Sequence, residues 1–159
     1  GQWIGARQKE APGRFLHLRL HTIYSNRPHP HMFLGQMLAA LRSSAPFEMS
    51  TGEQLREYHH ADDIAASMRL VLGTTWERFG GLLELSQGNA VSLAALAHHV
   101  FDSLNQRELL NVGARGASPA ENWNRNFEPT APRWFPKARE PLAGVCASIQ
   151  EALTHKDQG

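Results

Sequence analysis

Residues 52–65 read GEQLREYHHADDIA, and this stretch decides the fold prediction. A turn at Gly52 precedes residues 54–60, whose pattern predicts extended backbone with Leu55 and Tyr58 as its apolar positions. Asp62 is the predicted N-cap of the helix that follows, since a carboxylate can accept from the free N–H groups of the first turn. The apolar face of that helix carries Ile64, Ala65, Met68 and Leu72. An extended segment followed by an amphipathic helix favours a mixed α/β chain.

Upstream, residues 14–24 (RFLHLRLHTIY) alternate and predict a single strand. Its apolar side carries Leu16, Leu18 and Leu20. Two prolines in residues 25–30 predict a loop, and residues 31–43 have the apolar spacing of a helix. Residues 2–10 are interpreted as the tail of a helix that ends at Pro12-Gly13.

Downstream, residues 46–49 and 82–85 are predicted as short buried strands. Ser92 is expected to cap a helix over residues 93–104, and Pro141 to start a last helix that continues to residue 153. Residues 111–126 are rich in Gly, Ala, Asn and Ser and predict a surface loop. The order of elements gives an α/β or α+β class.

Composition excludes several function classes. The chain has 159 residues, 16 basic and 15 acidic side chains, and a net charge of +1, which argues against a nonspecific nucleic-acid binder. Cys146 is the only cysteine, so no internal disulfide forms; on an apolar helix stripe it is expected to be a buried small hydrophobic residue. The sequence has no run of 18 apolar residues, so it predicts no membrane span. Its first residues do not resemble a secretory signal. We therefore expect a cytoplasmic protein without nucleic-acid or membrane partners.

The histidine pairs do not predict a metal site. His59 and His60 are adjacent in an extended segment, so their side chains point to opposite faces and cannot easily share one ion. The pairs around residues 29–31 and 98–99 lack a second ligand pair at zinc spacing. We expect no bound metal.

Five motifs in the same order resemble one family over residues 14–153. The segment 52–65 resembles the G-x-Q-x-R-D-[FY]-[VI]-[HY]-V-x-D-[VI]-A stretch of the extended short-chain dehydrogenase/reductases, specifically the NAD-dependent epimerase/dehydratase enzymes that modify nucleotide sugars. Residues 18–24 resemble their L-R-x-F-N-V-Y strand end, and residues 83–97 their Y-N-[IV]-G-x-G…S-[LV]-x-E-[LI]-A segment. Residues 128–131 resemble D-x-[ST]-K-A, and residues 134–144 resemble G-W-x-P…L-x-x-G.

Two motifs of that family are absent from this sequence. It contains neither the glycine-rich G-x-x-G-x-x-G turn, which lets the backbone approach a pyrophosphate, nor a Y-x-x-x-K pair. The resemblance therefore implies the C-terminal part of an extended Rossmann-type enzyme without its dinucleotide-binding part: the last sheet strands plus a small helical substrate-binding domain. On this interpretation the chain starts just after the catalytic lysine. Residues 1–24 end the Rossmann portion, and residues 25–159 form the substrate-binding domain. An alternative is that one strand of this domain returns to the main sheet.

The resemblance also implies the site residues. Arg56 matches the arginine that holds the substrate diphosphate, and a planar guanidinium suits phosphate oxygens; the alternative is a surface arginine paired with Glu53 or Glu57. Arg115 or its rival Arg125 matches a second phosphate-binding arginine. Thr22 and Tyr24 match the strand end beside the nicotinamide and sugar. The family's asparagine and Gly-Pro are replaced there, so a core or strand-edge role is the alternative.

Phe47 falls in the extended stretch that packs on the nucleotide base in the family. A buried strand position is the competing interpretation, and the more favoured one for a phenylalanine. No catalytic residue is predicted within this chain.

The function implied by the resemblance is the substrate-binding portion of an NAD- or NADP-dependent nucleotide-sugar epimerase, dehydratase or reductase. The chain is expected to bind no cofactor and to turn nothing over alone. The alternative is a noncatalytic nucleotide-sugar binding or assembly module. An uncovered strand edge further predicts a homo-oligomer or a domain-swapped form.

Overall fold

The computed structural model describes residues 6, 7, 10, 15–73, 81–116, 127–132 and 135–155. Within these ranges the longer helices are α1 (Phe33–Ser43), α2 (Ala61–Leu72), α3 (Leu93–Ser103) and α4 (Pro141–Thr154). A 3-10 turn covers Arg107–Leu109, and residues 6, 7 and 10 are helical, in keeping with the predicted helix tail. No helix in the described ranges is long and apolar enough to cross a membrane.

The strands of the described residues are short and form four pairs. They are β1 (His17–Arg19), β2 (Thr22–Tyr24), β3 (Phe47–Met49), β4 (Leu55–Arg56), β5 (Tyr58–His60), β6 (Leu82–Glu84), β7 (Val91–Ser92) and β8 (Leu110–Val112). β1 pairs with β6, β2 with β5 and β3 with β8 in parallel, whereas β4 and β7 are antiparallel. The predicted mixed α/β class is confirmed. The division at residue 24 stays a prediction.

The single strand predicted over residues 14–24 is wrong. The chain leaves β1 after Arg19 and enters β2 at Thr22, because the two strands take different partners: β1 follows β6, and β2 follows β5. The Leu85 amide donates to the Arg19 carbonyl at 3.0 Å, and the Thr22 amide donates to the Glu57 carbonyl at 3.0 Å. The predicted extended stretch 54–60 is likewise two strands, β4 and β5, with Glu57 between them.

The helix starts agree with the sequence at two positions out of three. Ser92 caps α3 by accepting from the Ala95 amide, and Pro141 occupies the first turn of α4, as predicted. Asp62 is not the cap of α2. The helix begins two residues earlier than expected, so His60 is the N-cap and its Nδ1 accepts from the Asp62 amide at 3.2 Å.

The start of the predicted loop 111–126 is also wrong. Residues 111 and 112 belong to β8, because buried Leu110 pairs opposite Phe47 and carries the next two residues into register with β3. Gly113 then turns the chain at a φ of 84° and its amide donates to the Met49 carbonyl. Residues 117–126 lie outside the described residues.

Two apolar cores hold these elements. The larger joins α1, α3 and α4 over β3 and β5, and its fully buried side chains include Met37, Leu96, Val100, Phe101 and Val145. Cys146 is buried in it, as predicted. The smaller core joins α2 to β6, and the predicted apolar side of β1, with Leu16, Leu18 and Leu20, packs against it. The predicted apolar face of α2 is wrong beyond Ile64: Ala65, Met68 and Leu72 are exposed, because the helix packs through Ile64, Ser67 and Val71 instead.

Candidate functional site

A cavity of about 440 Å³ opens around the end of β2, between β5, β4 and the start of α1. Its lining combines aromatic and apolar side chains with a small number of cationic ones. The residues are Thr22, Ile23, Tyr24, Ser25, Arg27, Pro28, His29, Met32, Phe33, Leu34, Arg56, Tyr58, Ala61 and Leu93. Such a cavity, largely apolar with a few polar groups, is the usual form of a small-molecule site.

Three of the predicted site residues meet in this cavity. Thr22 and Tyr24 are the first and last residues of β2, and Thr22 lies opposite Tyr58 of β5 in register. Arg56 reaches the cavity from β4, where it lies opposite Val91. Two parallel strands and an antiparallel pair therefore bring together residues that are more than thirty positions apart in the chain.

Arg56 is half-buried and its charge is not neutralised within the described part of the chain. Its Nη1 donates to the Leu55 carbonyl at 2.8 Å, and no described carboxylate lies within 4.0 Å of the guanidinium. Glu53 is exposed, whereas Glu57 turns into the interior. The alternative in which Arg56 pairs with either of them is therefore not what the structure shows.

Two further basic side chains, which the sequence pattern did not indicate, also line the cavity. Arg27 and His29 lie in the proline-rich loop that follows β2, while no Asp or Glu is among the lining residues. Their signal in the sequence was their position directly after a strand end, where ligands meet open α/β sheets. The lining therefore favours an anionic ligand with an apolar or planar part against Met32 and Phe33.

The remaining predicted site residues lie elsewhere. Phe47 is 5% exposed and stacks on Phe101 with ring centroids 5.7 Å apart, one layer behind the lining residue Phe33. The buried-strand interpretation describes its position. Arg115 is exposed near Glu48, with 3.9 Å between its Nε and the carboxylate, and is not among the lining residues. Arg125 lies outside the described residues.

Burial controls the ionisation of the two tyrosines in the cavity wall. Tyr24 is 4% exposed, and burial raises its pKa to about 12, an effect that Arg139 reduces and Asp63 and Glu140 increase. Burial also raises the pKa of Tyr58 well above its ordinary value, although nearby Arg56 lowers it in part. Both side chains are therefore neutral phenols at physiological pH.

A buried polar cluster lies behind the strands that carry the site. Glu57, 1% exposed, accepts from the Ser86 hydroxyl and from the Gln87 amide, each at 2.6 Å. His59 Nε2 lies 3.3 Å from Glu57 Oε1, and His21 Nε2 lies 3.8 Å from Oε2. Burial alone would raise the pKa of Glu57, but these hydrogen bonds and the nearby imidazole outweigh it and lower the pKa to about 2. The carboxylate stays ionised.

The adjacent histidines at positions 59 and 60 do not form a metal site with the other described residues. The described residues contain no group of three His, Cys, Asp or Glu side chains arranged to hold an ion. His59 faces Glu57 while His60 caps α2, so the adjacent histidines have separate roles. The given sequence contains neither the glycine-rich turn that lets a backbone approach a pyrophosphate nor a Tyr-x-x-x-Lys pair.

Comparison with known proteins agrees with this architecture. Residues 1–78 match the model of the NAD dependent epimerase/dehydratase family. A dTDP-glucose 4,6-dehydratase from Streptomyces venezuelae, DesIV, solved with NAD and TYD bound, is 16% identical with a TM-score of 0.76, over 93% of this chain and 46% of that one. The dTDP-glucose 4,6-dehydratase of Bacillus anthracis str. Ames, solved with NAD, is 16% identical with a TM-score of 0.71, over 94% and 48%.

An epimerase has the same fold. The UDP-N-acetylglucosamine 4-epimerase of Methanobrevibacter ruminantium M1 is 12% identical with a TM-score of 0.70, over 96% of this chain and 49% of that one. The chain thus spans about half the length of the solved structures it matches. A search of curated proteins finds no significant match. The matched segment contains β2, β4, β5 and most of the cavity lining, and over these residues the chain matches the NAD dependent epimerase/dehydratase family.

Proposed function

We propose that this chain is the nucleotide-sugar-binding portion of an NAD(P)-dependent epimerase, dehydratase or reductase. The observation that carries the proposal is the unneutralised Arg56 guanidinium in a cavity lined by aromatic side chains and by no described carboxylate. A diphosphate supplies the negative charge that such a guanidinium binds most strongly, often through two parallel hydrogen bonds.

The fold supports this assignment. DesIV was solved with NAD and TYD, and MoeE5 with UDP-glucose and NAD; the second is 23% identical to this chain with a TM-score of 0.61. A cofactor of the complete enzyme would take up the substrate hydride, and this chain would bind and orient the substrate. The residues that we assign to that role are Arg56, Thr22 and Tyr24.

The test is a thermal-shift panel on this chain with UDP-, dTDP-, CDP- and GDP-sugars, with NAD as a separate ligand. A ligand that binds only the folded state raises the midpoint in proportion to the logarithm of its concentration over Kd. We expect one nucleotide class to raise the midpoint and NAD to leave it unchanged. A stabilisation by NAD alone would contradict the assignment.

Two variants localise the effect. Arg56→Ala removes one of the cations that line the cavity and is expected to reduce the shift strongly. Arg107→Ala is the matched control, because Arg107 is exposed, pairs with Asp102 at 3.1 Å and does not line the cavity. Equal shifts in both variants would place the ligand elsewhere on the molecule.

A further inference from the structure

The backbone and side chain of Glu57 connect three segments. Its carbonyl accepts from the Thr22 amide at 3.0 Å, so it holds the start of β2. Its carboxylate accepts from the Ser86 hydroxyl and from the backbone N–H of Gln87, two residues that follow β6. Along the chain it lies directly between Arg56 and Tyr58, both of which line the cavity. Glu57 itself does not line the cavity.

Because side chains alternate along an extended chain, the fixed direction of Glu57 also determines the direction of Arg56. Successive side chains in an extended segment point to opposite sides, so fixing one side chain fixes the direction of the next. Glu57 is directed inward by two hydrogen bonds of 2.6 Å, and Arg56 is directed to the cavity. Hydrogen bonds to an ionised acceptor are among the stronger ones in proteins, so this geometry is well defined.

The groups facing the carboxylate come from every element packed around it. His59 of β5 and His21, which precedes β2, approach its two oxygens, and Glu84 of β6 lies 3.4 Å from His21 Nε2. Phe127 covers His21 with ring centroids 5.3 Å apart. The side chains of Glu57, His59 and His21 are buried, and none of them lines the cavity. We therefore expect Glu57 to affect binding through the backbone rather than by contact with a ligand.

We propose that Glu57 is a positioning residue that holds the Arg56 guanidinium and the Thr22 backbone in the geometry that binds the substrate diphosphate. This inference rests on the proposed function. It assigns to Glu57 no contact with substrate and no part in the chemistry.

The first test is local. Glu57→Gln keeps the size of the side chain but replaces one acceptor oxygen by an NH₂ donor. Because Ser86 and the Gln87 backbone N–H are both donors, one of the two hydrogen bonds is lost. We expect hydrogen exchange of the Thr22 and Gln87 amides to accelerate, while amides of α1 and α3 keep their rates. Glu53→Gln, on an exposed neighbour, is the control and should change neither set. Uniform acceleration across all elements in Glu57→Gln would overturn the proposal.

The second test is ligand binding by a double-mutant cycle. Glu57→Gln is expected to weaken nucleotide-sugar binding by about tenfold, within the range of coupling between neighbouring residues. In an Arg56→Ala background the same change should weaken it less than about twofold. Equal weakening in both backgrounds, or an unchanged Kd with only a lower thermal midpoint, would show a general structural role and overturn the proposal.

A second variant and a second readout cover the cases in which Glu57→Gln does not fold or the chain binds no ligand. Ser86→Ala removes the hydrogen bond to Glu57, together with the one that Ser86 Oγ accepts from the Gly88 amide, and leaves the charge of Glu57. It should give the same pattern at smaller amplitude if Glu57→Gln does not fold. If the unaltered chain binds no nucleotide sugar, the proposed function fails. The exchange experiment then decides the positioning role of Glu57 by itself.

Discussion

The phenolic oxygen of Tyr24 lies directly against Gly144 of α4. A Cβ at position 144 would overlap this oxygen and would also lie 3.2 Å from the Arg139 Cβ. Gly144 is helical and needs no unusual φ, so the glycine is required by space rather than by backbone conformation. The contact packs α4 against a residue of the cavity wall.

Gly144→Ala is therefore expected to destabilise the fold by about 1–3 kcal/mol, the usual cost of overpacking, despite the better helix propensity of alanine. Tyr24→Phe removes the oxygen and should restore most of that loss in the double variant. Denaturant unfolding measures both effects. Gly116→Ala is the control, because a Cβ there meets nothing within 4 Å. A Gly144→Ala protein as stable as the parent would refute the contact.

The tyrosines are expected to resist ionisation in the folded state. Because burial raises the pKa of Tyr24 to about 12, the folded form keeps its proton between pH 10 and 12 while the unfolded form loses it. The contribution of Tyr24 to the free energy of unfolding is then fully present below pH 10 and is lost as the pH rises toward 12. Tyrosinate absorbance during an alkaline titration checks this, with Tyr24→Phe as the reference. Tyrosinate forming near pH 10 without unfolding would contradict it.

Glu57 predicts the opposite dependence at acid pH. Its pKa is lowered from 4.5 to about 2, so it stabilises the fold above pH 4.5, and this contribution is lost as the pH falls toward 2. The contribution is roughly 3 kcal/mol. The free energy of unfolding, measured between pH 3 and 7, should decline more steeply in the parent than in Glu57→Gln. Parallel curves would show that the carboxylate is not stabilised.

Self-association is a further prediction. In the described residues β1 pairs only with β6 and β2 only with β5, and Ile23 and Leu82 are 47% and 45% exposed on these strands. Leu72 of α2 is 80% exposed. Light scattering should give a mass that rises with concentration, and Leu82→Lys should reduce it. A constant monomer mass over the whole concentration range would contradict the prediction.

The spacing of apolar residues correctly predicted those elements that bury one face in a core. The stripes of α1, α3 and α4 face the larger core, and Leu16, Leu18 and Leu20 face the smaller one, because burial of one face requires the same spacing in any protein of this class. Ser92 and Pro141 likewise act through their nearest neighbours in the chain. The resemblance over residues 52–65 located Arg56 before any tertiary contact was known.

The errors arise from contacts between distant residues. The interruption of the predicted strand after Arg19 depends on a change of partner from β6 to β5, which alternation within residues 14–24 does not reveal. Glu57 was considered only as a neighbour of Arg56, yet Ser86 and Gln87, about thirty residues away, determine its direction. Arg27 and His29 join the site because the loop that follows β2 contributes to the cavity lining, and loop geometry leaves no periodic signal.

The most direct test of the central claim is isothermal titration of this chain with the nucleotide sugar that gives the largest thermal shift, beside the nucleoside without its diphosphate. We predict that the parent binds the nucleotide sugar and that Arg56→Ala weakens this binding by at least about tenfold, as expected for a lost charge-assisted pair. The nucleoside should bind weakly and equally to both proteins. Equal affinity of the parent and Arg56→Ala for the nucleotide sugar would contradict the account.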